Sequence, residues 1–118
     1  MKKLLFTLSA FASVLSYSQA ITITEIGRYS DSRDGACEIS TYDKDSKKIF
    51  VTNAASDSID IIDITNPMSP TKVGGINVLN YGGGVNSVVS LGNGYFAAAI
   101  EANVKQDSGF VVFFDTAG

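Results

Sequence analysis

The chain has 118 residues, with nine Lys/Arg, twelve Asp/Glu and no histidine, for a formal charge of −3. The lack of histidine excludes a Ser-His-Asp triad, a histidine-rich metal centre and a histidine general base within this stretch, and a lone Cys37 excludes an internal disulfide. Setting Lys2 and Lys3 aside leaves the remainder at −5, a balance that repels nucleic acid and anionic lipid headgroups.

Met1, Lys2 and Lys3 precede an apolar run from Leu4 to Leu15 and a polar exit, Ser16-Tyr17-Ser18-Gln19-Ala20. A positive start, a short apolar centre and small residues at Ser18 and Ala20 are the marks of a secretion signal with its cleavage site. The run is shorter than the about 20 apolar residues that span a bilayer. An N-terminal core helix is the alternative, but no amphipathic stripe interrupts the run. Residues 1–20 are therefore expected to be a signal peptide, and residues 21–118 an exported domain at the cell surface or outside the cell. No transmembrane segment is expected, and the absence of cysteine at the cleavage point argues against a lipid anchor.

Past the leader, Thr24-Glu25-Ile26-Gly27-Arg28-Tyr29 reads as a strand without a partner nearby in the chain. An acidic loop, Asp31-Ser32-Arg33-Asp34-Gly35, follows. Cys37 beside Ala36 and Ile39 reads as a small buried apolar residue; the alternative is a disulfide with a cysteine outside this chain. Four strand-like runs come next: Ile39 to Tyr42, Ile49 to Asn53, Ile59 to Asp63 and Thr71 to Ile76. The charged stretch from Asp43 to Lys48 joins the first two as a surface hairpin. Asp63-Ile64-Thr65-Asn66-Pro67-Met68-Ser69-Pro70 is a rigid turn, because Asp and Asn bond the backbone two residues on and proline fixes φ.

The pattern then returns as Val88 to Leu91, Tyr95 to Ala99 and Val111 to Asp115. Gly92-Asn93-Gly94 supplies the positive-φ residues that a tight hairpin requires. Short strands repeating every fifty or so residues mark a propeller-type array, in which each sheet buries its faces against its neighbours. The expected fold class is all-β: a β-propeller fragment of about two four-stranded blades plus an N-terminal closing strand at residues 24–29. In such a ring the early strand completes the last blade, so residues 21–118 are expected to be the N-terminal part of a longer, incomplete domain.

Three sequence features invite chemistry. Gly82-Gly83-Gly84 could cradle phosphate, but a P-loop continues with Gly-Lys-Ser/Thr and a helix, whereas Val85-Asn86-Ser87-Val88 leads into a strand. The glycines are expected instead to carry the chain from one blade to the next. Asp60 and Asp63 could be paired carboxylates, although one reads as a polar strand position and the other as a turn former. The candidate channel-mouth binding residues are Glu38, Asn86, Ser87 and Glu101, with no catalytic residue assigned. Oxygen ligands of this kind, with Asp31 and Asp34, suit a hard cation such as calcium in a full-length protein. Against that, the loop lacks the spacing of a calcium hairpin, and Arg33 opposes a dense negative site; solvated loop charges are the alternative.

The run from Asp34 to Asp43, then Lys48 to Asn53, Asp60 to Pro67 and Gly82 to Val88, resembles the opening of the choice-of-anchor I domain. That family of secreted bacterial propellers is related to animal mesenchyme-specific cell-surface glycoproteins linked to biomineralisation. The likeness spans roughly residues 22–118. It implies interchangeable C-terminal anchors and no established catalytic residues or cofactor. The expected function is thus a secreted or surface-exposed binding and scaffold protein, whose partner would be an extracellular protein, a glycan or a mineral surface. A metal-dependent hydrolase of phosphoesterase type, with its site in the channel, is the alternative.

Overall fold

The computed structural model describes residues 20–116, so the expected leader lies outside the described residues apart from Ala20. Seven strands form: β1 (Ser40–Asp43), β2 (Lys48–Asn53), β3 (Ser58–Asp63), β4 (Thr71–Asn77), β5 (Gly84–Gly92), β6 (Tyr95–Glu101) and β7 (Phe110–Phe114). They make two antiparallel sheets, ordered β1-β2-β3-β4 and β5-β6-β7. The only helical pieces among the described residues are 3₁₀ turns at Ala54–Ser56 and Val78–Asn80. The fold is all-β, and two successive up-and-down sheets are what a propeller fragment requires.

The turns form where the residues dictate. Asp63 accepts the Thr65 N–H at 2.8 Å and Asn66 accepts the Met68 N–H at 3.2 Å, ahead of Pro67 and Pro70 in the β3–β4 connection. At the β5–β6 hairpin, Gly92, Asn93 and Gly94 all have positive φ (86°, 55° and 82°), and Gly92 pairs with Tyr95 around a two-residue turn. Both turn positions being left-handed matches the twist of the flanking strands.

Strand alternation then decides which side chains meet. Phe50, opposite Ile61, and Thr52, opposite Ile59, point toward the second sheet. Phe96, Ala98, Ile100 and Phe114 point back at them, and these residues share one buried core with Ile76, Val78 and Val88. Phe50 stacks on Phe96 with ring centroids 4.2 Å apart, and Phe96 on Phe114 at 5.3 Å. This corrects the register of the sequence repeat. Matching Ile49-Phe50-Val51 to Tyr95-Phe96-Ala97 makes the two phenylalanines equivalent, yet they face one another from opposite sides of a single interface. Face for face, Ile49 corresponds to Phe96 and Val51 to Ala98, a slip of one residue that period-2 patterns cannot exclude by themselves.

Residues 24–29 join no ladder among the described residues, the partners expected for them lying beyond residue 118, and run as a largely exposed segment with Gly27 and Tyr29 against the outer face of the first sheet. Gly27 presses on the Pro67 carbonyl, leaving no room for a side chain there. Cys37 also departs from its expected burial: it is exposed and carries φ of 61°.

An antiparallel meander sends alternate connections to opposite ends. The approach to β1, the β2–β3 link, the β4–β5 link and the β6–β7 link gather at one end. There Val78 N–H donates to Asp57 O at 2.9 Å and Gly83 N–H to Glu101 O at 2.8 Å. The β1–β2 and β5–β6 hairpins meet at the other.

Candidate functional site

The sequence-predicted residues occupy the linking end, but in separate places. Asn86 sits at a bulge in β5, where Val85 pairs with Ile100 and Ser87 with Ala99, so the residue between them has no ladder partner. A bulge re-aims its side chain. Glu101 closes β6 opposite Gly84. Together they border a cavity of about 430 Å³ whose remaining lining includes Lys105, Asp107, Phe110 and Val111. Gly83 and Gly109 let backbone approach this end closely: a Cβ on Gly83 would lie 2.7 Å from Ala102 O, and one on Gly109 2.6 Å from Ile100 O. Ser87 is exposed on β5 and borders neither this cavity nor the next.

Glu38 is elsewhere. Its N–H donates to Thr52 O at 3.0 Å, and its side chain borders a second, more apolar cavity of about 360 Å³ on the outer face of the first sheet. Tyr29 and Cys37 stand at that cavity, over Ile49, Val51 and Ile62. Burial pushes the Tyr29 phenol up from its ordinary value, and the Asp60 carboxylate adds to the shift.

Behind this face lies a polar network that sequence reading missed. Asp60 and Asn53 have no exposed surface. Asn53 Nδ2 donates to Asp60 Oδ2 at 2.9 Å and to Asp31 Oδ2 at 3.0 Å. Asp60 Oδ1 accepts from Ser58 Oγ at 3.1 Å and from Lys72 Nζ at 2.7 Å. Arg33 grips Asp31 through Nε at 2.9 Å and Nη2 at 2.6 Å. The Arg33 guanidinium holds the Asp31 carboxyl well below the usual carboxylate range, helped by the Arg33 N–H. Each acidic group thus has its cation, and Asp31 bonds both Arg33 and Asn53. Asp60 and Asp63 do not pair, since strand alternation puts them on opposite faces. Among the described residues, no three His, Cys, Asp or Glu side chains converge as metal ligands.

At the opposite end, Asp43 clasps the two sheets together. Its side chain is 1% exposed. Oδ1 accepts the Asp45 N–H at 2.9 Å and Oδ2 the Ser46 hydroxyl at 2.8 Å, which closes its own hairpin. Oδ2 also accepts the Gly94 N–H of the second sheet at 2.5 Å, while Asp45 Oδ2 accepts the Asn93 N–H at 3.2 Å. Ser90 N–H adds a bond to Thr41 Oγ1 at 3.0 Å. Burial pushes the Asp43 carboxyl up, but the bonds from Ser46, Gly94 and Asp45 outweigh it and the net direction is down. In the sequence, Asp43 is one charge in a polar loop; only contact with Gly94, 51 positions away, marks it out.

A model of the choice-of-anchor I domain matches residues 38–118, more than half of the chain and both sheets. Residues 22–37, including the segment over the outer face, precede the matched region. Neither the curated proteins nor the solved structures contain a match.

Proposed function

The chain belongs to the choice-of-anchor I domain family, and on that footing we propose that it is a secreted or cell-surface binding and scaffold protein. In this reading the sheets are a rigid frame, and the linking end is presented to an extracellular protein, a glycan or a mineral surface. One observation supports it above the others. Asp31, Asp43, Asp60 and Asp63 are all engaged in hydrogen bonds that hold the frame. Asn86, Glu101, Lys105 and Asp107, around the cavity at the linking end, have side chains without a hydrogen-bond or ion-pair partner among the described residues. Polar groups that do no structural service at a concave surface are free to recognise a ligand. The signal-peptide pattern at residues 1–20 fits export of the whole. Calcium enters this reading as an ion shared between the loop carboxylates and the partner.

The full-length exported protein, applied to immobilised matrix proteins, glycans and calcium mineral with calcium or with chelator, tests this. Retention on one class, weakened by Glu101→Gln with Lys105→Ala, is the expected result. No retention on any surface, together with turnover of a generic phosphoester that is lost in Glu38→Gln, would replace the binding role with the metal-dependent hydrolase.

A further inference from the structure

Resting on that binding role, we propose that the cavity bordered by Asn86, Glu101, Lys105, Asp107 and Phe110 is a saccharide subsite with a preference for amino sugars. A sugar ring presents hydroxyls that both donate and accept, beside a face of C–H bonds that is apolar. It is bound by planar polar groups at the rim and an aromatic surface beneath. The cavity has both. The Asn86 amide donates and accepts, the Glu101 and Asp107 carboxylates accept, and the Lys105 ammonium donates. Phe110 is 54% exposed at the start of β7 and offers its ring to the C–H face.

Backbone geometry holds these groups in place. The bulge at Asn86 removes that residue from the ladder. The close approach allowed by Gly109 lays the β6–β7 link against the end of β6, and Lys105, Asp107 and Phe110 line the same cavity as Glu101. The corresponding link in the first sheet, residues 54–57, is a single 3₁₀ turn and builds no such wall. A volume of about 430 Å³ lies in the range of small-ligand sites. With no internal partners among the described residues, the four polar groups surrender only water on binding, so little is lost when ligand hydroxyls replace it.

Charge sets the preference. Two carboxylates against one ammonium leave the site net negative, which attracts a protonated amine and opposes a uronate. An amino sugar would place its ammonium between Glu101 and Asp107.

Saturation-transfer NMR on the full-length exported protein tests the assignment, using β-linked glucosamine oligomers, their neutral N-acetylated counterparts and anionic galacturonate oligomers. Transfer to ring protons should be strongest for the amine series and weakest for the anionic one. Phe110→Ala and Asn86→Ala, both at exposed positions, should each abolish it without moving the melting temperature. Glu101→Gln should weaken the amine series about tenfold, equivalent to about 1.4 kcal/mol, and the neutral series far less. No transfer from any of the three, or transfer unchanged in Phe110→Ala and Asn86→Ala, would overturn the subsite. If the protein is still retained on a protein or mineral surface, the binding role stands and the saccharide assignment alone falls.

Discussion

Replacing Asp43 with alanine should separate the two sheets more effectively than any other change at a polar residue. The carboxylate is almost wholly buried and joins hairpins whose sequence positions are about fifty apart. Alanine leaves the Gly94 N–H, also buried, with no acceptor, and frees the Asp45 N–H and Ser46 hydroxyl. A hydrogen bond to a charged group contributes about 1.5–3 kcal/mol, and an orphaned buried donor costs about 1–3 kcal/mol. Because the Asp45 and Ser46 groups reach water once released, the net loss should be about 3–5 kcal/mol. That is a large share of the 5–15 kcal/mol typical of a whole domain. Asp43→Asn keeps the shape but turns an N–H₂ toward at least one of these donors, and should cost about half as much.

The pH dependence carries a sign that can be checked. The folded-state pKa of Asp43 lies below its ordinary value, so its stabilisation is fully present above the unfolded pKa near 3.9. It is lost as pH falls through the folded value. Urea unfolding of the exported chain, followed by circular dichroism at pH 7 and at pH 3, should show a larger drop for wild type than for Asp43→Asn. Asp31 and Asp63 are depressed too, but they are common to both proteins and cancel in the comparison. A cost below about 1 kcal/mol for Asp43→Ala, or identical acid losses in the two proteins, would refute the clasp.

Other outcomes follow from the same packing. Phe50→Ala removes a fully buried ring from the stack between the sheets and should lower stability by about 3–5 kcal/mol in chemical denaturation. Lys72→Ala leaves the buried Asp60 carboxylate without its cation and should cost about 3–5 kcal/mol; adding Asp60→Asn should recover much of that in a double-mutant cycle. Arg33→Ala should let the Asp31 carboxyl rise toward its ordinary range, read by side-chain NMR titration. Gly83→Ala drives a methyl against the Ala102 carbonyl and should cost about 1–3 kcal/mol by thermal melting.

The sequence by itself determined the all-β class, the approximate positions of the seven strands, although β5 begins at Gly84 rather than Val88, and most of the turns. Those features are local: β-branched and aromatic runs, Gly-Asn-Gly at the β5–β6 hairpin, and Asp and Asn ahead of proline in the β3–β4 link each act within a few residues. Of the four polar positions read from the repeat, Asn86 and Glu101 border one cavity, Glu38 borders another and Ser87 neither. What the sequence left open was decided between strands and between sheets. The face that Phe50 presents depends on a register that a one-residue slip inverts, and only the stack on Phe96 fixes it. Asp60 looks like a polar strand position until Lys72, Asn53 and Ser58 converge on it from three strands. Cys37 reads as a core residue and is exposed, at a positive-φ position just before Glu38 and Ile39 bond the backbone of β2. Asp43 is indistinguishable from its charged neighbours until the second sheet brings the Gly94 N–H to it. Local propensity selects strands and turns within the reach of a few bonds; burial and charge pairing join residues tens of positions apart, and exist only once the sheets have met.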